Sequence, residues 1–252
     1  MKKAASFALG SKLNQYESEA IAELFVEKGY EIVGVNEPAD VYVINTCTVT
    51  NFGDKKSRQL IRKVKRQNEN AIVAVVGCYA QTAPEELMNV DGVNLVIGTK
   101  DRARIVEMVE QYDAEAGAQS YVTDIMKERL FEPLSIQKLA DRTRAYLKIQ
   151  DGCSQYCSYC IIPYARGPIR SREPEDVLAE VRRLAANGFR EIVLTGIHVA
   201  SYGKDRRDTS LLDILRRVHE VDGIERIRFS SIEPNVVTEE FAQTMAALSK
   251  VC

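Results

Sequence analysis

The chain has 252 residues, 45% of them hydrophobic and 28% charged, with a formal net charge of −2. That length accommodates two domains, and the composition is that of an ordinary globular protein, not a disordered or fibrous one. The sequence has no run of 18 apolar residues, which excludes a membrane-spanning helix, and the near-neutral charge confines any basic surface to a local patch.

Strand and helix signals alternate from the start. The opening MKKAASFALGSK has too short an apolar stretch for a signal peptide, so residues 3–9 read as a first strand and the expected setting is cytoplasmic. Residues 14–28 have helical periodicity, with Ile21, Leu24 and Phe25 on one face. A strand at 41–45, a helix at 55–67 and a fully apolar strand at 71–76 follow, then a short helix at 85–89, a strand at 95–97 and a helix at 102–112. Residues 113–143 break this rhythm with the polar stretch DAEAGAQS and read as a linker between a first domain at 1–112 and a second at 144–252. The alternation resumes with a strand at 145–150 and a helix at 174–187, which has Pro174 in its first turn and Asn187-Gly188 at its end. A strand at 191–195, a helix at 210–219, a strand at 227–230 and a helix at 238–249 complete the chain. The expected fold class is α/β: an open parallel sheet with flanking helices, then three strand–helix units that make the first half of a β/α barrel. A half-barrel leaves an open edge, so the sequence reads as part of a longer protein.

The six cysteines are Cys47, Cys78, Cys153, Cys157, Cys160 and Cys252. With no secretory signal in view they read as thiols or metal ligands and not as disulfides. Cys153, Cys157 and Cys160 form C-x3-C-x2-C directly after the strand at 145–150, at the strand end where β/α barrels place their active sites. Three thiolates ligate three irons of a [4Fe–4S] cube and leave the fourth open to chelate the amino and carboxylate groups of a bound methionine. The bland alternatives are buried inert cysteines and a zinc site. Zinc wants four ligands, and His198, from a later strand end, is the one further candidate. Tyr159 suits a ring packed on adenine, or simple packing. Gly196, at a strand end, either admits close backbone approach to a ligand or makes a tight turn. His198 reads as a satisfied loop histidine. In the first domain Ser11, Cys47 and Cys78 each follow a strand, and carboxyl ends of neighbouring parallel strands face one crevice. Two lone cysteines are ordinary buried residues, but this shared placement raises the ligand reading.

The segment KIQDGCSQYCSYCIIPYARGPIRSR resembles the methylthiotransferase branch of the radical S-adenosylmethionine (SAM) superfamily. The resemblance implies reductive cleavage of S-adenosyl-L-methionine to a 5′-deoxyadenosyl radical at a [4Fe–4S] cluster on Cys153, Cys157 and Cys160. It implies SAM contacts from Tyr159, Gly196 and Arg172, and an electron donor such as flavodoxin or ferredoxin. It also implies a second, auxiliary [4Fe–4S] cluster that carries the sulfur to be transferred, held by three cysteines of the first domain. Cys47 and Cys78 match two of these. Where the family has Gly-Cys-Lys, this chain has Gly10-Ser11-Lys12. Serine is a harder and poorer iron ligand than thiolate, so Ser11 substitutes as the third metal ligand, or the cluster is labile, or sulfur insertion is impaired.

LTGIH at 194–198, SYG at 201–203, NTCTVTN and LNQYESEA resemble the branch that acts on threonylcarbamoyl-adenosine in tRNA. The other branches act on isopentenyl-adenosine in tRNA or on an aspartate of a ribosomal protein. The implied reaction places a methylthio group on carbon 2 of the adenosine beside the anticodon, with the cofactors carrying the chemistry. The cluster Lys55, Lys56, Arg58, Arg62, Lys63, Lys65 and Arg66 fits tRNA phosphates, although most charge runs are solvated faces. Arg166, Arg170 and Arg172 are expected to meet substrate or the SAM carboxylate. The rival readings are a radical SAM methyltransferase or mutase without a second cluster, and an electron-transfer or zinc-binding module. By the resemblance, the family has three further barrel strands and a small RNA-binding β domain beyond the span of this sequence.

Overall fold

The computed structural model describes residues 1–47, 51–134, 136 and 144–252, with the backbone alone for 51–54. Thr48, Val49 and Thr50 of the NTCTVTN motif, and residues 135 and 137–143 of the expected linker, lie outside the described residues. The chain divides into two compact units. One is Met1–Glu128 with Gln155–Gly167; the other is Arg129–Ser154 with Pro168–Cys252.

The strands of the first unit are β1 (Lys3–Ala8), β2 (Glu31–Ile32), β3 (Val41–Thr46), β4 (Ile72–Gly77), β5 (Leu95–Ile97) and β6 (Gln119–Ser120). Among the described residues they form one sheet in the order β2-β1-β3-β4-β5-β6, and every pairing is parallel. The two-residue β2 and β6, which sit at the sheet edges, are too short to leave a period in the sequence. The helices are α1 (Lys12–Glu27), α2 (Asn51–Gln67), α3 (Cys78–Thr82), α4 (Pro84–Met88), α5 (Ile105–Glu110) and α6 (Ile162–Arg166).

β3 is buried along its whole length. Val41 and Val43 face one core, with Ile21 and Phe25 of α1 and Ile105 and Val109 of α5. Tyr42 and Ile44 face the other, with Ile61 and Val64 of α2 and Leu87 of α4. Side chains alternate between the faces, and both faces are apolar, as a parallel sheet covered by helices on both sides requires.

The second unit holds β7 (Arg144–Asp151), β8 (Arg170–Ser171), β9 (Glu191–Gly196) and β10 (Arg226–Phe229), with helices α7 (Pro174–Ala186), α8 (Leu211–His219) and α9 (Glu239–Ala247). The strand order among the described residues is β10-β9-β7-β8. β7, β9 and β10 run parallel, which gives the expected three strand–helix units of a half-barrel. The short β8, not foreseen from sequence, adds antiparallel to the end of β7 through Gln150↔Ser171 and Asp151↔Arg170. One sheet face carries Ala145, Leu147, Ile149, Ile192, Leu194 and Ile227 into a core shared with all three helices. Lys148, Gln150 and Thr195, at the alternate positions, are buried and polar. α7 ends as its Asn-Gly predicts: Gly188 takes φ +90, and Phe189 N donates to the Leu184 carbonyl. Among the described residues no helix is long and apolar enough to cross a membrane.

Ile44 is 0% exposed on a central strand. Ile44→Ala should lower stability by about 2–5 kcal/mol, whereas Val26→Ala, at a position 52% exposed, should change it by no more than about 0.5 kcal/mol. Equilibrium urea unfolding monitored by circular dichroism measures both.

Candidate functional site

The carboxyl ends of β1, β3 and β4 lie side by side because the strands are parallel neighbours, and Ser11, Cys47 and Cys78 follow those three ends. Hydrogen bonds tie the ends together. Leu9 N donates to the Asn45 carbonyl at 2.8 Å. Buried Asn14, on α1, donates through Nδ2 to Asn45 Oδ1 at 3.2 Å and to the Thr46 carbonyl at 3.0 Å, and Asn45 Nδ2 returns a bond to the Asn14 carbonyl at 3.0 Å. Thr46 Oγ1 donates to the Val76 carbonyl at 2.7 Å. Two glycines make the close approach possible. A Cβ on Gly10, which has φ +103, would lie 2.6 Å from Cys47 Cβ and 2.8 Å from its Sγ. A Cβ on Gly77, at φ +97, would meet Asn45 Oδ1 at 2.5 Å. Only glycine fits either position.

Ser11 caps α1. Its hydroxyl accepts from Asn14 N at 3.3 Å and donates to Asn14 Oδ1 at 2.9 Å. Cys47 is half-buried and Cys78 is buried. Their two thiols fit an iron–sulfur group by donor chemistry and by the tight cradle around Cys47. The Ser11 oxygen is a hard donor already engaged with Asn14.

The sequence reading missed the charged cluster beside Cys78. Glu17, Arg102 and Arg166 are each 0% exposed. Arg166 grips Glu17 with both terminal nitrogens, Nη1 to Oε1 at 2.5 Å and Nη2 to Oε2 at 3.0 Å, and its Nε donates to Cys78 Sγ at 3.3 Å. Arg102 Nη1 lies 2.7 Å from Glu17 Oε2. Arg166, expected to meet substrate or SAM, is instead buried within the first unit. Helical spacing carried one signal: Glu17 falls on the apolar stripe of Leu13 and Ile21, where a carboxylate needs a buried partner. Burial pushes the Cys78 thiol up from its ordinary range. The Arg166 charge and hydrogen bond oppose that rise, and Glu17 and Cys47 add to it.

In the cysteine loop, Cys153 is buried and belongs to the second unit, while exposed Cys157 and half-buried Cys160 belong to the first. Cys160 N donates to the Cys157 carbonyl at 2.9 Å. Tyr156 adopts φ +50, and Tyr159 is 89% exposed. None of the six cysteines is in a disulfide. Among the described residues no three His, Cys, Asp or Glu side chains are gathered as a metal site; the loop's fit to an iron–sulfur cluster stands on its three soft donors and their spacing.

In the second unit Gly196 packs against a side chain, since a Cβ there would lie 2.7 Å from Gln150 Oε1 and 2.9 Å from Gln150 Cβ. Gln150 in turn accepts from His198 N at 2.8 Å and donates to the carbonyls of Asp151 at 2.7 Å and Gly152 at 2.6 Å, which sets the chain's path into Cys153. His198 is a satisfied loop histidine, with Nδ1 2.6 Å from Ser201 Oγ and Nε2 3.6 Å from Glu233. Arg172 Nη2 pairs with Glu180 at 2.5 Å, whereas its buried Nε and Nη1 have no hydrogen-bond partner among the described residues. Arg170 is buried near Asp151 at 3.7 Å, and Asp151 also holds Lys148 Nζ at 2.6 Å, a polar cluster that the sequence did not announce.

The basic helix α2 is partly committed. Arg58 pairs with Glu86 and donates to Tyr79 Oη at 2.8 Å, Lys63 donates to Asn36 at 2.6 Å, and Lys65 donates to the Ala71 carbonyl at 2.8 Å. Lys55, Lys56, Arg62 and Arg66 are exposed. A surface recess of about 510 Å³ is lined by Arg62, Lys65, Arg66, Glu69, Asp91 and Gly92.

Glu17→Gln should lower stability by about 3–5 kcal/mol, because it strips buried guanidiniums of their carboxylate; thermal unfolding of the metal-free chain measures this. In the same metal-free chain exposed Cys157 and Cys252 should alkylate with iodoacetamide well before Cys78, whose burial and raised thiol pKa both slow it. Peptide mass spectrometry over a time course reads the order.

Residues 3–98 match the family described as Uncharacterized protein family UPF0004, and residues 147–251 match the Radical SAM superfamily. The Threonylcarbamoyladenosine tRNA methylthiotransferase MtaB of Bacillus subtilis (strain 168) is 48% identical over 252 residues, covering 100% of this chain and 56% of the relative. Its namesake from Aquifex aeolicus (strain VF5) is 38% identical over 249 residues, covering 99% and 60%. The tRNA-2-methylthio-N(6)-dimethylallyladenosine synthase of Clostridium novyi (strain NT) is 35% identical over 251 residues, covering 96% and 55%. The chain thus spans a little over half the length of these relatives. Among solved structures, the radical S-adenosylmethionine methyltransferase TsrM from Kitasatospora setae, with tryptophan substrate and a SAM analog bound, shares the fold. The TM-score is 0.64 at 17% identity, covering 100% of this chain and 58% of that one. Two family regions in this order, with similarity running the length of the chain, place residues 147–251 in the Radical SAM superfamily and make the whole chain similar to the radical SAM tRNA methylthiotransferases.

Proposed function

We propose that the chain forms the sulfur-donor and radical-generating parts of a tRNA methylthiotransferase, which places a methylthio group on carbon 2 of threonylcarbamoyladenosine in the cytoplasm. The observation that carries this reading is the run of three thiols, Cys153, Cys157 and Cys160, directly after β7 in the radical SAM region. A zinc site would need a fourth donor there. Residues 1–112 are assigned to the sulfur donor and 144–252 to the radical, joined through 113–143. Support for the substrate comes from the relatives' names, with 48% and 38% identity to the threonylcarbamoyladenosine enzymes cited and 35% to the dimethylallyladenosine enzyme cited. Support for tRNA as partner comes also from exposed Lys55, Lys56, Arg62 and Arg66 on α2.

The chemistry that bound cofactors supply in this reading is one-electron cleavage of SAM and delivery of a methylthio sulfur. Cys153, Cys157 and Cys160 would hold one [4Fe–4S] cluster, reduced by a donor such as flavodoxin or ferredoxin. Cys47 and Cys78 would hold the auxiliary one, with Ser11 at the third family position. Tyr159, Gly196 and Arg172 would contact SAM, Arg172 through its unpartnered Nε and Nη1. Gln150 holds the backbone at Asp151 and Gly152, so Cys153 leaves β7 along one path.

A second reading, a radical SAM enzyme without a working auxiliary cluster, is favoured by one observation: the Ser11 hydroxyl is spent on capping α1. Anaerobic reconstitution separates the two, since two cubes give about eight irons per chain and one gives about four. We expect about eight irons with matching sulfide, SAM-dependent formation of 5′-deoxyadenosine on reduction, and firmer retention of the second cluster in Ser11→Cys. A count of about four with cleavage intact would select the second reading. A reconstituted chain that neither binds nor cleaves SAM would sink the radical assignment.

A further inference from the structure

We infer that Arg166 is a positioning residue for the Cys78 sulfur: its guanidinium, locked by Glu17, holds one N–H on Sγ and thereby sets the electron density of whatever iron–sulfur group that sulfur ligates. This rests on the reading of Cys47 and Cys78 as cluster ligands and goes beyond it by assigning the tuning element.

The geometry is specific to arginine. Its guanidinium is planar, and Glu17 takes both terminal nitrogens, at 2.5 and 3.0 Å, which fixes the plane. The remaining Nε–H then has one direction in that plane, and Sγ lies along it at 3.3 Å. Glu17 is itself anchored by Arg102 at 2.7 Å. The donor is therefore held from behind and does not swing. The cluster is also dry: Glu17, Arg102 and Arg166 are 0% exposed and Cys78 is 3% exposed. Away from water, a charge-assisted donor on sulfur acts more strongly than the same bond would in solvent. A hydrogen bond to a ligating sulfur withdraws density from the iron–sulfur bond and favours the more electron-rich, reduced state, which raises the reduction potential. A lysine keeps the charge but cannot grip Glu17 with a fork and donate sideways to sulfur at once. The bland reading is that Arg166 only pins α6 to α1. It predicts an effect on stability and none on potential.

The test uses the full chain with Cys153, Cys157 and Cys160 changed to alanine, so that any reconstituted cluster sits at Cys47 and Cys78. Arg166→Met, Arg166→Lys and Glu17→Gln are made in that background. Iron content, the midpoint potential from a redox titration followed by visible absorption and electron paramagnetic resonance, and thermal unfolding of the metal-free chain are measured for each. We expect Arg166→Met to keep its cluster with a potential shifted to more negative values and Arg166→Lys to restore part of the shift, while Glu17→Gln, which removes a negative charge near the sulfur as well as the lock on the guanidinium, serves as the control for stability. A potential that is unchanged in Arg166→Met while iron is retained overturns the inference and leaves only the pinning role. If Arg166→Met fails to fold, an unchanged potential in Arg166→Lys with iron retained overturns it. A parental background that takes up no iron defeats the ligand reading itself, and the inference with it. A cluster that forms but ignores Arg166 defeats the inference alone.

Discussion

Glu17 puts a carboxylate with no solvent exposure between the guanidiniums of Arg102 and Arg166. Taking such charges out of water costs several kcal/mol per ion unless geometry and hydrogen bonds repay it, and removing one partner of such a group typically costs about 3–5 kcal/mol. The arrangement is therefore tightly conditional. α1, the segment at Arg102 and α6 have to arrive together, and when they do, the guanidinium edge facing Cys78 is fixed. Polar satisfaction of this one site ties residues 149 positions apart in the chain and gives the strand-end crevice a rigid wall.

That crevice exists because every strand pairing in the first sheet is parallel. Strand direction alone delivers Ser11, Cys47 and Cys78 to one edge, and apolar alternation along β3 keeps the sheet covered on both faces. The close work is done by Gly10 and Gly77, which let backbone pass where any Cβ would collide, and by Asn14 and Asn45, which satisfy the strand-end carbonyls. The second sheet divides its labour differently. One face is apolar and carries the helices, while Lys148, Gln150 and Thr195 put buried polar groups on the other. Gln150 is central there, since Gly196 exists to make room for it and its amide holds the two carbonyls before Cys153.

The sequence alone determined the architecture's main lines. Strand–helix alternation, the apolar runs at β3 and β4, and Pro174 and Gly188 around α7 are local signals, written in neighbouring residues, and they led to the α/β class and the parallel order. The C-x3-C-x2-C spacing is also local, and so was the placement of Cys47 and Cys78 after strands. The edge strands β2 and β6, the turn α3 and the antiparallel β8 were not legible, because two to five residues cannot establish a period and their pairing depends on strands far away in the chain.

Only the tertiary structure decided which charged residues are buried together. Arg166 and Arg170, read from sequence as reaching for substrate, are enclosed with Glu17 and with Asp151. Ser11, read from sequence as a third metal ligand, spends its hydroxyl on capping α1. The reason is physical: periodicity reports which face a residue occupies, but the partner of a buried charge comes from whatever element packs on that face. Glu17 on the apolar stripe of α1 announced that a partner was needed; that it would be an arginine whose third nitrogen rests on the Cys78 sulfur is set by packing alone.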